Sequence, residues 1–261
     1  MSARPAPKSK RALPNPAAGN AGAVPSLDVL CEDGPIIAIN KPAGLLTQPG
    51  PPGNPPTVVD CVKAFLKKKY DKPGNVYLGV PHRLDRPVSG VVVLARNSKA
   101  AARLSAQFRE RRVKKIYWAI VEGEMKTPDG ELTDWLVKTE KPNRAHVVPA
   151  VTPDAKLAQL RYRTIGEVEK GTLVEIELLT GRSHQIRVQL SNLGAPIIGD
   201  LKYGAKTTLS QKRSGHHRET FLALHARQLS IEHPIRHDVI DIEAPLPATW
   251  GRSVTRHQAG H

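Results

Sequence analysis

Apolar and polar positions along the chain fall into short blocks whose period changes several times. Leu27 to Asp33 and Ile36-Ile37-Ala38-Ile39 form a short apolar stretch on each side of Gly34, and the second ends in Asn40-Lys41-Pro42-Ala43-Gly44. This predicts strand followed by a Lys-Pro-x-Gly turn. Pro and Gly dominate residues 49–56, which predicts an exposed loop. From Thr57 the period becomes helical: Val58, Val62, Phe65 and Leu66 share a face, Thr57 suits the N-cap, Lys67 to Lys69 enrich the last turn, and Pro73-Gly74 stops the helix. Val91-Val92-Val93-Leu94-Ala95 has no polar interruption and predicts a buried strand. Ser98 is placed to cap a second helix, Lys99 to about Arg112, with Ala101, Leu104 and Phe108 on one face. Ile116 to Val121 is again β-rich and is closed by Glu122-Gly123.

Residues 157–179 alternate as a hairpin about Gly171: Leu160, Tyr162 and Thr164, then Leu173, Val174, Ile176 and Leu178, with Glu175 and Glu177 on the other face. Helical spacing returns at Ile186, Leu190 and Leu193, with Ser183 placed as N-cap and Gly194 as C-cap. Strands with hairpin-type connections and only a few helices argue for an α+β fold, a mixed, mainly antiparallel central sheet flanked by helices and loops. Residues 1–25 carry four basic residues and neither an acid nor an aromatic, so they cannot bury enough apolar surface to offset ordering. The pattern therefore divides the chain into a disordered basic arm (1–25), one folded domain (26–248) and a tail (249–261).

Composition adds a partner. The 261 residues carry a net charge of +15, a field suited to a polyanion, and nucleic acid is the natural one. Cys31 and Cys61 stand thirty residues apart with no Cys-x-x-Cys, so neither a disulfide framework nor a zinc site is suggested, and a reducing cytoplasm fits. His216-His217 has no metal-ligand spacing to either cysteine and reads as surface loop. No signal-peptide core and no apolar run long enough to span a bilayer occurs, so a soluble protein that is not exported is expected. The P-loop, the dinucleotide glycine fingerprint and His-Glu-x-x-His are missing, so no cofactor site is expected. Gly181-x-Ser183 lacks the closing glycine of a hydrolase elbow, because Gln185 stands there, and Ser183 reads as a cap instead of a nucleophile.

The candidate chemistry lies ahead of the buried strand, in Pro81-His82-Arg83-Leu84-Asp85-Arg86-Pro87-Val88-Ser89-Gly90. Asp85 sits between two arginines in a loop at a strand edge, and opposite charge favours the ionised, nucleophilic carboxylate over a proton donor. The same pattern also describes a structural ion pair in a tight turn. Further on, Arg109-Glu110-Arg111-Arg112-Val113-Lys114-Lys115 clusters cations around one acid, either a solvated helix end or a phosphate contact.

Five motifs in order remove that ambiguity: Ile39-Asn40-Lys41-Pro42-Ala43-Gly44-Leu45; His82-Arg83-Leu84-Asp85 with Ser89-Gly90; Lys115-x-Tyr117-x-Ala119-x-Val121-x-Gly123; Thr180-Gly181-Arg182-Ser183-His184-Gln185-Ile186-Arg187; and Gly199-Asp200 with Leu224-His225-Ala226. Over about residues 27–245 this series resembles the RluA-type pseudouridine synthases. Val88 stands where that family carries Thr, which removes a hydroxyl from the loop and leaves the acid untouched. With so short a stretch ahead of residue 27, the small RNA-binding domain of many members is not expected here.

The resemblance implies an RNA isomerase without cofactor or metal, acting as a monomer on structured RNA, ribosomal or transfer RNA, in an active-site cleft. Residues 26–248 would be its catalytic domain. Asp85 would be the nucleophile, Arg187 its ion-pair partner and Tyr117 the base-stacking tyrosine. Arg83 would fill the gap left by a flipped nucleotide. His82, Arg86, Lys41, Arg112, Lys114, Lys115 and Arg182 are the further expected contacts to substrate or RNA, with structural duties the better fit for His82 and Lys41. A non-catalytic RNA-binding protein would share the charge and the basic loops. It would gain nothing from an acid at the centre of its cationic surface, because a carboxylate repels phosphate.

Overall fold

The computed structural model describes residues 27–49, 55–140, 143–212, 218–251 and 254. The expected basic arm, residues 50–54 of the Pro/Gly loop and His216-His217 lie outside the described residues. In chain order the elements are β1 (Asp28–Asp33), β2 (Ile36–Lys41), α1 (Val58–Lys69), β3 (Ser89–Ala95), α2 (Ser98–Arg109), β4 (Lys114–Val121), β5 (Asp129–Thr139) and β6 (Arg144–Val148). They continue with β7 (Lys156–Val168), β8 (Gly171–Leu178), α3 (Gln185–Asn192), β9 (Leu209–Lys212), β10 (Arg218–Phe221), β11 (Leu224–Glu232) and β12 (Val239–Glu243). One sheet runs in the order β1-β2-β3-β11-β4-β8-β7-β5-β6, with β12 also on β11, and β9 and β10 pair separately. Among the described residues only β3 with β11 pair in parallel, so the expected α+β architecture with a mixed, mainly antiparallel sheet is the one the chain adopts.

β2 and β3 read as unbroken apolar runs because both their faces are covered. Ile37, Ile39, Val92 and Leu94 join α1 residues Val58, Val62 and Leu66 in one core; Ile36, Ala38, Val91, Val93 and Ala95 join α2 residues Ala100 and Leu104 in a second. Thr57 caps α1 as its pattern predicts, its hydroxyl and the Asp60 carboxylate satisfying each other's backbone N–H groups. α2 differs from expectation. Its cap is Asn97, whose Oδ1 accepts from Ala100 N at 2.8 Å, while Ser98 is already helical. The helix stops at Arg109, and Arg111 turns left-handed with φ 59°. Beyond residue 248, Trp250 (5% exposed) and Val254 (0%) pack into the main core, which takes their apolar side chains out of water.

The strand register also explains why distant motifs recur together. Ser89-Gly90 pairs with His225-Ala226, and Ala226 in turn pairs with Tyr117 across β4. A Cβ on Gly90 would lie 2.2 Å from the Ala226 carbonyl oxygen, and its φ of 114° is open to glycine alone, so only glycine allows the crossing. Ser89 Oγ and His225 Nδ1 lock it at 2.8 Å. Burial lowers the His225 pKa to about 4, which marks it as a neutral structural group. The start of β3, and with it the Asp85 loop, is thereby fixed beside the middle of β4.

Candidate active site

The loop carrying Asp85 is held from below by the Lys-Pro-x-Gly turn. Lys41 is fully buried, and its Nζ donates to the carbonyls of Pro42 (3.0 Å), Leu45 (2.7 Å) and Arg86 (3.2 Å). Gly44 N donates to Arg86 O at 2.8 Å, while Thr47 Oγ1 gives a hydrogen bond to Leu84 O (2.9 Å) and receives one from Leu84 N (3.2 Å). Burial lowers the Lys41 pKa to about 7. The structural duty that fits Lys41 better is the one seen: its three donors are occupied in tying its own turn, through Pro42 and Leu45, to Arg86, while Thr47 holds Leu84 on the other side of Asp85. His82 is similarly committed. Its Nε2 accepts from Val93 N at 2.9 Å, its ring stacks on Phe108 at 4.5 Å, and burial drives its pKa down to about 3, so it orients the loop as a neutral ring.

Beside the loop opens a cavity of about 540 Å³. Asp85, Tyr117, Arg187, Arg83, Lys115 and Arg182 all line it, although they come from three separate segments. Arg182 is tethered by Nε to Leu157 O at 2.9 Å. Three expected contacts are turned elsewhere. Successive strand residues point to opposite faces, so Lys115 and Tyr117 face the cavity while Lys114 borders a separate depression with Trp118 and Arg227. Arg112 pairs outside with Glu110 (2.9 Å) and Glu232 (3.3 Å), and Arg86 Nε donates to Gly44 O at 3.0 Å. In their place Arg109 and Arg111 join the lining. The cation run announced this basic edge, but not which of its members face inward.

Lys115 has no hydrogen bond or ion pair among the described residues; burial first, then the like charge of Arg111, lowers its pKa to about 8. The Tyr117 hydroxyl is pushed above its ordinary range by burial and by the Asp85 charge, so it keeps its proton.

The opposite wall is the segment from Thr180 to Arg187. Gln185, not Ser183, fastens the entry to α3: its Oε1 accepts from Thr180 Oγ1 (2.7 Å) and Arg182 N (3.0 Å), and its Nε2 donates to Gln159 O (3.0 Å). The N-cap position is His184 with φ 56°, which makes no side-chain cap. Arg187, in the first turn, is buried and donates through Nε and Nη2 to both oxygens of Asp200, each at 2.6 Å. Its Nη1 stands 3.7 Å from Asp85 Oδ2, and His184 Nε2 stands 3.6 Å from the same oxygen. The expected Asp85–Arg187 pairing is thus present only as a long contact; the tight partner is Asp200. Burial opposes the guanidinium charge, but the bonds and charge of Asp200, with Asp85, outweigh it and raise the Arg187 pKa. Asp200 and His184 stand inside motifs quoted from the sequence without a role of their own, and Tyr203 lies outside those motifs.

Comparison with known proteins defines the class. A family model described as RNA pseudouridylate synthase matches residues 35–192, a span that holds Asp85, Tyr117 and Arg187. The chain belongs to this family of RNA-modifying isomerases. Within it the chain is of the RluA type. It is 34% identical over 234 residues to ribosomal large subunit pseudouridine synthase D of Haemophilus ducreyi, an alignment covering 86% of this chain and 68% of that protein. It is 33% identical over 222 residues to RNA pseudouridine synthase slr1629 of Synechocystis, covering 85% and 66%. The chain spans about two thirds of the length of these relatives. The solved human RNA pseudouridylate synthase domain containing 4 superposes with a TM-score of 0.70 at 27% identity, over 88% of this chain and 93% of that one.

Proposed function

We propose that this chain converts uridine to pseudouridine in structured RNA, ribosomal or transfer RNA, with Asp85 as the nucleophile acting on a uridine flipped into the cavity. One observation carries the reading. Asp85 is the sole carboxylate among the described residues that line the cavity, where Arg83, Arg109, Arg111, Lys115, Arg182 and Arg187 supply the cations. Such a rim suits the phosphates of RNA, and the lone acid has a use only if it attacks.

In the reaction the N1–C1′ bond of uridine breaks, the uracil turns, and C5 bonds to C1′. The C5 proton passes to water and N1 takes a proton up from it, so the product is an isomer and no redox partner enters. Asp85 bonds covalently to sugar or base between the two halves, while Arg187 keeps a positive charge beside it. Tyr117 stacks on the base, and its hydroxyl oxygen assists removal of the C5 proton. Arg83 occupies the space the flipped nucleotide leaves, and Lys115, Arg109, Arg111 and Arg182 meet phosphates. Two supports for this arrangement are the common oxygen, Asp85 Oδ2, approached by Arg187 and His184, and the buried Asp200 that fixes Arg187.

Loss of the C5 proton gives a direct test. Ribosomal and transfer RNA labelled with tritium at uridine C5 are incubated separately with the protein. Release of tritium to water from one of them, with pseudouridine mapped at defined positions, is expected. No release from either RNA overturns the proposal.

A further inference from the structure

We propose, on the reading that Asp85 is the nucleophile, that His184 is a positioning residue which Tyr203 holds so that its Nε2–H faces that acid. The Tyr203 hydroxyl is the centre of the arrangement. Its oxygen accepts the backbone N–H of Ala145 at 2.8 Å and lies 2.7 Å from His184 Nδ1. Among the described residues Nδ1 is the one acceptor within reach of this hydroxyl, and Tyr203 is only 3% exposed. A buried hydroxyl gives its hydrogen to the acceptor available to it, so Tyr203 donates and Nδ1 accepts. The single proton of the neutral ring then sits on Nε2, toward Asp85. The opposite tautomer would aim a lone pair at the carboxylate and leave the hydroxyl hydrogen unsatisfied.

Three further features fit this duty. His184 is held in the left-handed region (φ 56°, ψ 18°) without serving as a side-chain cap, the kind of local strain that marks functional positions. The Tyr203 ring is fixed by the guanidinium groups of Arg187 (5.0 Å) and Arg144 (5.1 Å) and meets the His184 ring edge-on at 5.7 Å. His184 and Arg187 converge on Asp85 Oδ2 (3.6 and 3.7 Å), and among the described residues no hydrogen bond reaches Oδ1, which is left to attack. The charged groups acting on the imidazole are Asp85, Arg187, Lys202 and Asp200; burial outweighs them and favours the neutral ring. A separation of 3.6 Å is too long for a hydrogen bond, but catalytic hydrogen bonds commonly shorten when substrate closes the site.

The test compares His184→Gln, which carries an N–H to about the Nε2 position, with His184→Asn, which tolerates a left-handed backbone but is too short, and with Tyr203→Phe. Single-turnover rates are measured at saturating RNA on folded protein. His184→Asn and Tyr203→Phe are expected to slow the reaction about 10- to 100-fold with RNA affinity unchanged, the loss of one hydrogen bond to a charged group. His184→Gln recovers most of the rate, and adding Tyr203→Phe to it costs nothing more, because an amide needs no tautomer control. If Asn matches or exceeds Gln, or if Tyr203→Phe costs the same in both backgrounds, the proposal is overturned. The tautomer is also read without turnover, by proton–nitrogen NMR of the imidazole: a proton on Nε2 is expected, and one on Nδ1 refutes the proposal. Failure of the wild type to make pseudouridine would instead strike the functional reading on which it rests.

Discussion

Asp200→Asn separates holding the arginine from doing the chemistry. Arg187 and Asp200 are buried, with side chains 8% and 1% exposed, and share two hydrogen bonds of 2.6 Å. Breaking a buried pair by neutralising one member costs 3–5 kcal/mol; Asn keeps one acceptor oxygen, so the loss belongs at the lower end, about 3 kcal/mol. For a domain of this size each kcal/mol lowers Tm by roughly 2–4 °C, which makes the expected drop about 6–12 °C. The freed guanidinium has one carboxylate left to follow, Asp85, now 3.7 Å away. Closing that gap occupies the nucleophile, so turnover falls well beyond what the loss of folded protein explains. Thermal unfolding and single-turnover kinetics at a temperature where the variant is fully folded measure the two effects separately. A Tm within 2 °C of wild type together with normal turnover would refute the view that Asp200 anchors Arg187.

Other outcomes follow from the same geometry. The Lys115 pKa, lowered to about 8 against an unfolded value near 10.4, means that its buried charge costs stability in full below pH 8 and that the cost fades as pH rises from 8 to 10. RNA affinity changes in the opposite sense, weakening above pH 8, and Lys115→Arg removes that weakening in a binding titration. Gly90→Ala forces a Cβ to within 2.2 Å of the Ala226 carbonyl oxygen in a backbone no alanine adopts, a loss on the order of 4 kcal/mol read as lost cooperative unfolding. RNA affinity falls linearly on a log–log salt plot with a slope of about −0.7 to −0.9 per phosphate contact, and a flat plot would contradict the cationic rim.

Periodicity was sufficient for α1, the hairpin of β7 and β8, and the buried run of β3, because in each case the local pattern and the tertiary burial agree. It misplaced the caps of α2 and α3, where the choice turns on side-chain reach: Asn97 reaches Ala100 N, and Gln185 fastens the α3 entry from inside the helix. The family motifs brought Asp85, Tyr117 and Arg187 to one cavity across a hundred residues of chain. They kept Lys41 and His82 among the substrate contacts while favouring structural duties for both, because a motif marks a position without saying whether its side chain faces the cavity or the loop backbone. Arg112 and Lys114 show the same limit in a charge run, where alternation of the strand and nearby acids decide which cations are free. Asp200 was marked by its motif but not its role, and Tyr203 carried no local signal, since their duties depend on partners thirteen to fifty-eight residues away.

The central claim is that Asp85 is the nucleophile of a uridine isomerisation, and Asp85→Asn tests it most directly. Asn keeps the volume of the side chain, and the loop keeps its clamps from Lys41 and Thr47. Single-turnover tritium release from C5-labelled RNA is measured beside RNA affinity and Tm. Abolished release with affinity and melting near wild type is the expected result; substantial release by folded Asp85→Asn protein would contradict the account.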